Sequence, residues 1–443
     1  MGKFFGTDGI RQVALRYPLT PDGMIRIGTG IAEMLAGSSK TVIIGRDTRE
    51  TGFLLQNALT SSLLANGVNV LDVGVVPTPC ISYLTKVKAD LGIMISASHN
   101  PFYYNGIKFF NSNGSKINDV QQSKIEELLN CNSPYYMASE CLGKASLYSN
   151  AEDEYYKKLK HTIRGTSLQN MRIVVDCANG AAYKILPRLL ADMQADVISM
   201  NTSPNGININ DCNINECSQK VVSSGAHIGF VLDGDADRLQ VVDEKGTVHN
   251  GDQIIALLTH FLMRRSALSS NGIVSTIMSN VGLEHFMKDM GLKLYRSQVG
   301  DRYVYEMMCK MNSNLGGEQS GHVIITDTGT STGDALSASL YVLQAIIEMD
   351  KPVSEILPIF YEYPQICRNF EILDGANLNI QYLSSSIGNI KELLSETGRF
   401  NLRLSGTEPV LRLMVEDCDI NRVQNAVRII EDHIKSYLLL SAA

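Results

Sequence analysis

Nowhere in its 443 residues does the chain hold an uninterrupted apolar run of about 18 residues, the length that spans a bilayer. No membrane-spanning helix is therefore expected. The opening residues, MGKFFGTDGIRQ, lack the long apolar stretch of a secretory signal, so the expected location is the cytoplasm. Positive charge is in deficit as well: 39 Lys and Arg stand against 46 Asp and Glu, a formal net charge of −7. Binding a phosphate backbone needs a basic field, which excludes nucleic acid as the main partner; a small phosphorylated ligand needs only a few local cations. Cysteine supplies no scaffold. The nine are odd in number and irregular in spacing, and the closest pair, Cys212 and Cys217, misses the CxxC spacing of zinc and redox sites. They read as reduced, mostly buried thiols.

What is present is an ordinary globular composition, 44% hydrophobic and 19% charged, in a chain long enough for two to four domains. Periodicity shows a repeat. KTVIIG (40–45) reads as a buried strand, residues 53–65 have helical apolar spacing, Asn66-Gly67 ends that helix, and residues 68–75 form a second strand. The same order returns at 172–200 and at 272–297. Each is the sequence form of a right-handed βαβ crossover, so three related α/β domains are expected. From about Arg368 the pattern changes to polar strand candidates at 400–404 and 411–416, then an amphipathic helix over 419–439 with Asp419 as N-cap. This predicts a smaller α+β domain. Expected boundaries are 1–150, 151–250, 251–367 and 368–443, with residues 130–149 and 364–368 as connections.

Four segments carry chemistry. The first is DGDADR (233–238), between strand-like IGFVL and LQVV. In an extended segment Asp233, Asp235 and Asp237 project to one face and repel unless a cation binds or protons remain. Hard oxygen ligands suit Mg²⁺ or Ca²⁺, and a site with few protein ligands leaves room for phosphate oxygens on Mg²⁺. An EF-hand is excluded because Arg238 occupies the position that needs glycine and the flanks are strands. The second is ISASHNP (95–101), continued by YNGIK (104–108): strand 91–95 ends here, and Ser98 sits at the sheet edge where α/β folds bind ligands. Ser98 and His99, adjacent and without a G-x-S-x-G elbow, do not form a hydrolase pair. The third, GGEQSGH (316–322), offers a carboxylate and neutral donors suited to sugar hydroxyls. The fourth, RLSGTEPVLR (403–412), presents hydroxyls, backbone N–H groups and two arginines to a phosphate, without the spacing of a nucleotide-binding Walker loop.

Together with FGTDGIR (5–11), these segments resemble the α-D-phosphohexomutase superfamily, in family order and over nearly the whole chain from Phe5 to Arg412. Three features depart from its pattern: Gln12 stands where a glycine is usual, the metal loop reads DGDAD, and residues 211–216 are atypical. The resemblance implies four domains around a central cleft. It implies a phosphoserine at Ser98, which binds Mg²⁺ together with Asp233, Asp235 and Asp237. Lys108 and Arg238 would assist proton transfer and charge stabilisation, with His99 and Arg11 beside them. Glu318, Ser320 and His322 would hold the sugar, and Arg403, Ser405, Gly406, Thr407 and Arg412 the phosphate that is not reacting.

By the same likeness the reaction passes phosphate between O6 and O1 of a hexose through a sugar bisphosphate that acts as intermediate and activator. Within the superfamily, VGDR (299–302) and the Gln of GEQSGH favour the bacterial branch acting on glucosamine phosphate, which feeds aminosugar nucleotide and cell-wall synthesis. The branches acting on mannose or glucose phosphates are the alternative. A non-catalytic sugar-phosphate binder is a third reading, disfavoured because Ser98 and all three aspartates are kept. The chain fits a monomer or a homodimer.

Overall fold

The computed structural model describes residues 4–35, 40–129, 136–163, 165–372, 388–404 and 410–441. Among these residues, four sheets follow one another along the chain, and their strands are counted within them. The first has seven strands, with Leu91–Ile95 at its centre, parallel to Thr41–Arg46 on one side and antiparallel to Tyr104–Asn111 on the other, and Thr41–Arg46 in turn parallel to Asn69–Val75. The second has five strands around Arg172–Asp176 and Ile228–Leu232, and the third four around Gly272–Thr276. The fourth is a three-stranded antiparallel sheet with Val410–Glu416 between Gln365–Glu371 and Arg399–Leu404.

The three expected crossover units are all formed as parallel pairs: Thr41–Arg46 with Asn69–Val75, Arg172–Asp176 with Asp196–Met200, and Gly272–Thr276 with Lys293–Ser297. Their helices, Glu50–Ala65, Ile185–Asp192 and Val281–Asp289, lie within two or three residues of the periodic segments. Asn280 caps the third by accepting the Gly282 N–H at 2.9 Å, and Asp419 accepts the Asn421 N–H at 2.8 Å before the terminal helix Ile420–Ser441.

Three expectations need correction. Residues 145–147 do not merely connect domains: Ala145–Leu147 adds a parallel edge strand beside Asn69–Val75. Likewise Gln365–Glu371 starts a strand inside the expected 364–368 connection, pairing over seven residues with Val410–Glu416. An edge strand is read from its partner's hydrogen bonds, and a polar one leaves little apolar pattern in its own sequence. Finally, the eight cysteines among the described residues are free but not mostly buried. Cys141, Cys309, Cys367 and Cys418 are exposed among the described residues, against buried Cys80, Cys177 and Cys217.

One apolar core runs through the first three sheets, from Ile43 to Phe360, and a second fills the other face of the first sheet. The fourth domain keeps its own core. Leu411, Leu413 and Val415 alternate inward onto Val423, Ala426, Val427, Ile430 and Ile434, which recur at helical spacing. Its link to the third domain is polar: Arg399 donates to the Ile277 carbonyl at 2.7 Å and Glu416 accepts the Val281 N–H at 2.7 Å. No helix among the described residues is long and apolar enough to cross a membrane.

Candidate active site

Ser98 follows the C-terminal end of strand Leu91–Ile95, where Asn100-Pro101 turns the chain away from the sheet. It is fully buried, with φ +52 in the left-handed region, a conformation that costs free energy and persists only where neighbours impose it. Those neighbours are visible. Buried Arg49 donates to the carbonyls of Ser98 (2.9 Å), Asn100 (2.8 Å) and Tyr104 (3.0 Å), and Asn210 of the second domain donates to those of Ser98 (2.7 Å) and Asn100 (3.0 Å). The Ser98 hydroxyl donates to Asp233 Oδ2 at 2.6 Å. A phosphoserine candidate and a carboxylate 135 residues away are thus in direct contact.

Asp233, Asp235 and Asp237 converge, each offering an oxygen within 4.8 Å of the others. They do so by a route the sequence did not suggest. The segment is a turn with Ala236 at φ +58, not an extended run, and the Ala236 N–H closes onto the Asp233 carbonyl at 3.1 Å. Gly234 is required there, since a Cβ would stand 2.8 Å from the Ser98 carbonyl oxygen. Burial, then the charges of Asp237 and Asp235, push Asp233 up to about 7. Lys108 answers the other two carboxylates. Its Nζ lies 2.7 Å from both Asp235 and Asp237 and 3.0 Å from Asp8. Burial opposes its charge, yet Asp235 and Asp237 hold its pKa well above the usual lysine range.

A cavity of ≈ 540 Å³ opens beside these groups, lined by Asp8, Arg11, His99, Arg238, Glu318, Ser320, His322 and Arg412 among others. Arg238 donates to His99 Nδ1 at 2.8 Å; burial and the Arg238 and Arg11 charges push His99 down to about 3, so it is a neutral acceptor. Arg11 reaches Asp8 at 2.6 Å and Asn100 Oδ1 at 3.2 Å. Glu318 Oε1 accepts the Gly300 N–H at 2.9 Å, and its Oε2 lies 2.6 Å from His322 Nδ1. Burial opposes a charge on His322, but Asp237 at 3.1 Å and Glu318 hold it up at about 10. His322, whose Nε2 also lies 3.2 Å from Arg238 Nε, joins the third-domain loop to the aspartates, and the Leu239 N–H bonded to the Gly321 carbonyl at 3.0 Å splices the same two loops. Arg403 stands opposite Arg412 in the fourth sheet. Ser405, Gly406 and Thr407 lie outside the described residues.

Sequence reasoning missed Asp8, Lys116, Asp301, Arg49 and Asn210, and also Thr78, whose hydroxyl donates to Asp235 Oδ2. Asp8 was within reach, as it sits inside the FGTDGIR segment; the others are set by contacts between distant segments. A G-x-S-x-G pattern does occur at 329–333, but it precedes helix Ala335–Met349 without a strand leading into it, and Ser331 is buried with its N–H 3.3 Å from Ser82 Oγ. It has no nucleophile-elbow geometry.

Known proteins show the same organisation. The phosphoglucomutase/phosphomannomutase alpha/beta/alpha domains I, II and III match residues 2–135, 153–246 and 250–363, and the C-terminal domain of that family matches 369–432. The phosphoglucosamine mutase of Rhizobium rhizogenes is 42% identical over 443 residues, 98% of each chain, and that of Brucella anthropi 43% identical with the same coverage. Among solved structures, a phosphoglucomutase/phosphomannomutase family protein from Burkholderia thailandensis superposes with a TM-score of 0.78 at 22% identity, covering 99% of this chain and 97% of its own. Aspergillus fumigatus N-acetylphosphoglucosamine mutase, in complex with GlcNAc-6P and magnesium, gives 0.68 at 17% identity over 98% and 96%. The chain belongs to the phosphoglucomutase/phosphomannomutase family of phosphohexomutases, in its phosphoglucosamine mutase branch.

Proposed function

We propose that the protein interconverts glucosamine 6-phosphate and glucosamine 1-phosphate through a phosphorylated Ser98 and a glucosamine 1,6-bisphosphate intermediate, supplying aminosugar nucleotide synthesis in the cytoplasm. The observation that carries this is the contact of Ser98 Oγ with Asp233 at 2.6 Å, inside a trio of aspartates from another domain. The phosphoserine donates to the free hydroxyl of the monophosphate. The bisphosphate turns over in the cleft and returns its other phosphate to Ser98. Four domains, 1–150, 151–250, 251–367 and 368–443, each lend one loop, and a monomer or a homodimer can house the complete site.

The aspartates fit a hard divalent cation. Asp235 Oδ1 is buried with no hydrogen-bond partner, and the raised Asp233 shows that all three carboxylates are not comfortably ionised together. Asp233, Asp235 and Asp237 would hold Mg²⁺ with an oxygen of the Ser98 phosphate, and the cation would neutralise charge on the transferring phosphoryl group. Lys108 holds the aspartates together as a fixed cation. Neutral His99 orients Arg238 toward the reacting phosphate, with Arg11 beside it. Glu318, Ser320 and His322 face the sugar, while Arg403 and Arg412, with Ser405, Gly406 and Thr407, grip the idle phosphate.

A side-by-side assay on glucosamine, glucose and mannose phosphates tests the substrate. Glucosamine phosphate should have the highest kcat/KM. A larger value for mannose or glucose phosphate would assign the chain to the other branches.

A further inference from the structure

We propose that Asp301 is a positioning residue for phosphoryl transfer, acting through Lys116 and Asp8 on Lys108; the inference rests on the mutase reading above. Asp301 opens helix Asp301–Met311, and its side chain is 1% exposed. One carboxylate oxygen lies 2.5 Å from Lys116 Nζ, and the other accepts the Thr332 hydroxyl at 2.7 Å. Lys116 is also buried and bonds to Asp8 Oδ1. The second oxygen of Asp8 lies 3.0 Å from Lys108 and 2.6 Å from Arg11. Lys108 then reaches Asp235 and Asp237. Charges of alternating sign therefore run from the third domain through the first to the aspartates of the second.

The charge count gives Asp301 its role. Asp8 alone faces three cations, Lys108, Lys116 and Arg11. Asp301 supplies the second anion for Lys116, which leaves one side of Asp8 for Lys108 and Arg11. With Asp301 neutral, Lys116 draws on Asp8 without compensation in a poorly screened interior, and the hold on Lys108 loosens. The adjacent Gly300 N–H bonded to Glu318 ties the same turn to the sugar-facing carboxylate. Next to the buried pair is one of reversed polarity that reaches solvent on its acidic side: buried Arg302 meets Asp119 at 2.8 Å, with the Asp119 side chain 76% exposed. That pair joins the same two segments but touches none of the catalytic groups, which makes it a control.

A purely mechanical clasp between the first and third domains predicts that activity follows stability. Replacing a buried ion pair by apolar residues of similar volume commonly restores stability, so the double variant Lys116→Met with Asp301→Leu separates the two roles. Kinetics start from glucosamine 6-phosphate with magnesium, each rate scaled to the folded fraction measured by thermal melt. Asp301→Asn, which keeps the shape and the Thr332 contact, should lower kcat by about tenfold or more while KM stays within about threefold. Asp119→Asn should keep the wild-type kcat. The double variant should stay slow even where its melt matches wild type. Near-native kcat per folded molecule in Asp301→Asn or in the double variant would overturn the proposal. A wild-type enzyme that turns over without phosphate on Ser98 would overturn the mutase reading along with it.

Discussion

Arg403 and Arg412 stand directly opposite each other across the antiparallel strands Arg399–Leu404 and Val410–Glu416. Like charges in that position repel. Burial, then the Arg412 charge, pushes the Arg403 guanidinium below its ordinary range, and its Nε is buried without a hydrogen-bond partner. Leu411 and Leu413 pack inward, so Arg412 between them turns to the other face, where it lines the cavity. In the proposed reading the idle phosphate of the sugar would sit against this pair. Arg403→Ala should raise KM by about one to two orders of magnitude, the loss of one or two charge-assisted bonds. If, as proposed, one clamp serves both orientations of the bisphosphate, kinetics from glucosamine 6-phosphate and from glucosamine 1-phosphate should suffer alike. Loss in one direction alone would show that Arg403 meets a single orientation.

Lys108 changes the expectation for the aspartates. As a bare trio they would gain stability on losing one charge. With Lys108 at 2.7 Å from both Asp235 and Asp237, each carboxylate is instead part of its compensation. Asp235→Asn should cost about 1–3 kcal/mol in chelator and weaken Mg²⁺ binding. Lys108→Met leaves buried carboxylates without their cation and should cost about 3–5 kcal/mol. Thermal and denaturant melts in EDTA check both; a Lys108→Met protein as stable as wild type would contradict the network.

Asp252 predicts a pH dependence away from the site. It is fully buried at the start of helix Gly251–Arg264, accepts the Asn280 N–H at 2.8 Å through Oδ2, and leaves Oδ1 without a partner. Burial pushes it up to about 7. Between pH 4 and 7 the folded chain thus holds a proton that the unfolded chain has released, so stability falls as pH rises through that window and levels off above it. The loss from this one group is at most about 4 kcal/mol. Melts of wild type and Asp252→Asn at pH 5.5 and 8 check this: the variant should lose less stability than wild type on going to pH 8. Equal losses would mean that Asp252 does not titrate in the folded state.

Much of this was legible in the sequence, for local reasons. A βαβ unit is written in some thirty consecutive residues, so period-2 and helical spacing located all three crossovers. The candidate-site loops that fall within the described residues stood out because each holds its unusual residues close together. What escaped depends on partners far along the chain. Lys116 and Asp301 are 185 residues apart, and Arg49 pins the Ser98 loop from 49 residues upstream. Neither looks unusual in its own segment. The aspartates were found by spacing, although Ala236 at φ +58 gathers them by a turn. Edge strands Ala145–Leu147 and Gln365–Glu371 are defined by the neighbours they pair with.

Ser98, in the proposed mechanism, carries the phosphate that moves. Intact-mass spectrometry of the purified enzyme after incubation with glucose 1,6-bisphosphate and magnesium should show one added phosphate, located on Ser98 by peptide mapping. That phosphate should pass to added glucosamine 6-phosphate, and the phosphate brought by the substrate should replace it on Ser98 by the end of the turnover. Ser98→Ala should neither take up phosphate nor turn over, because the only hydroxyl seen against Asp233 among the described residues is that of Ser98. A Ser98→Ala enzyme that interconverts the two glucosamine phosphates at a near-native rate would contradict the account.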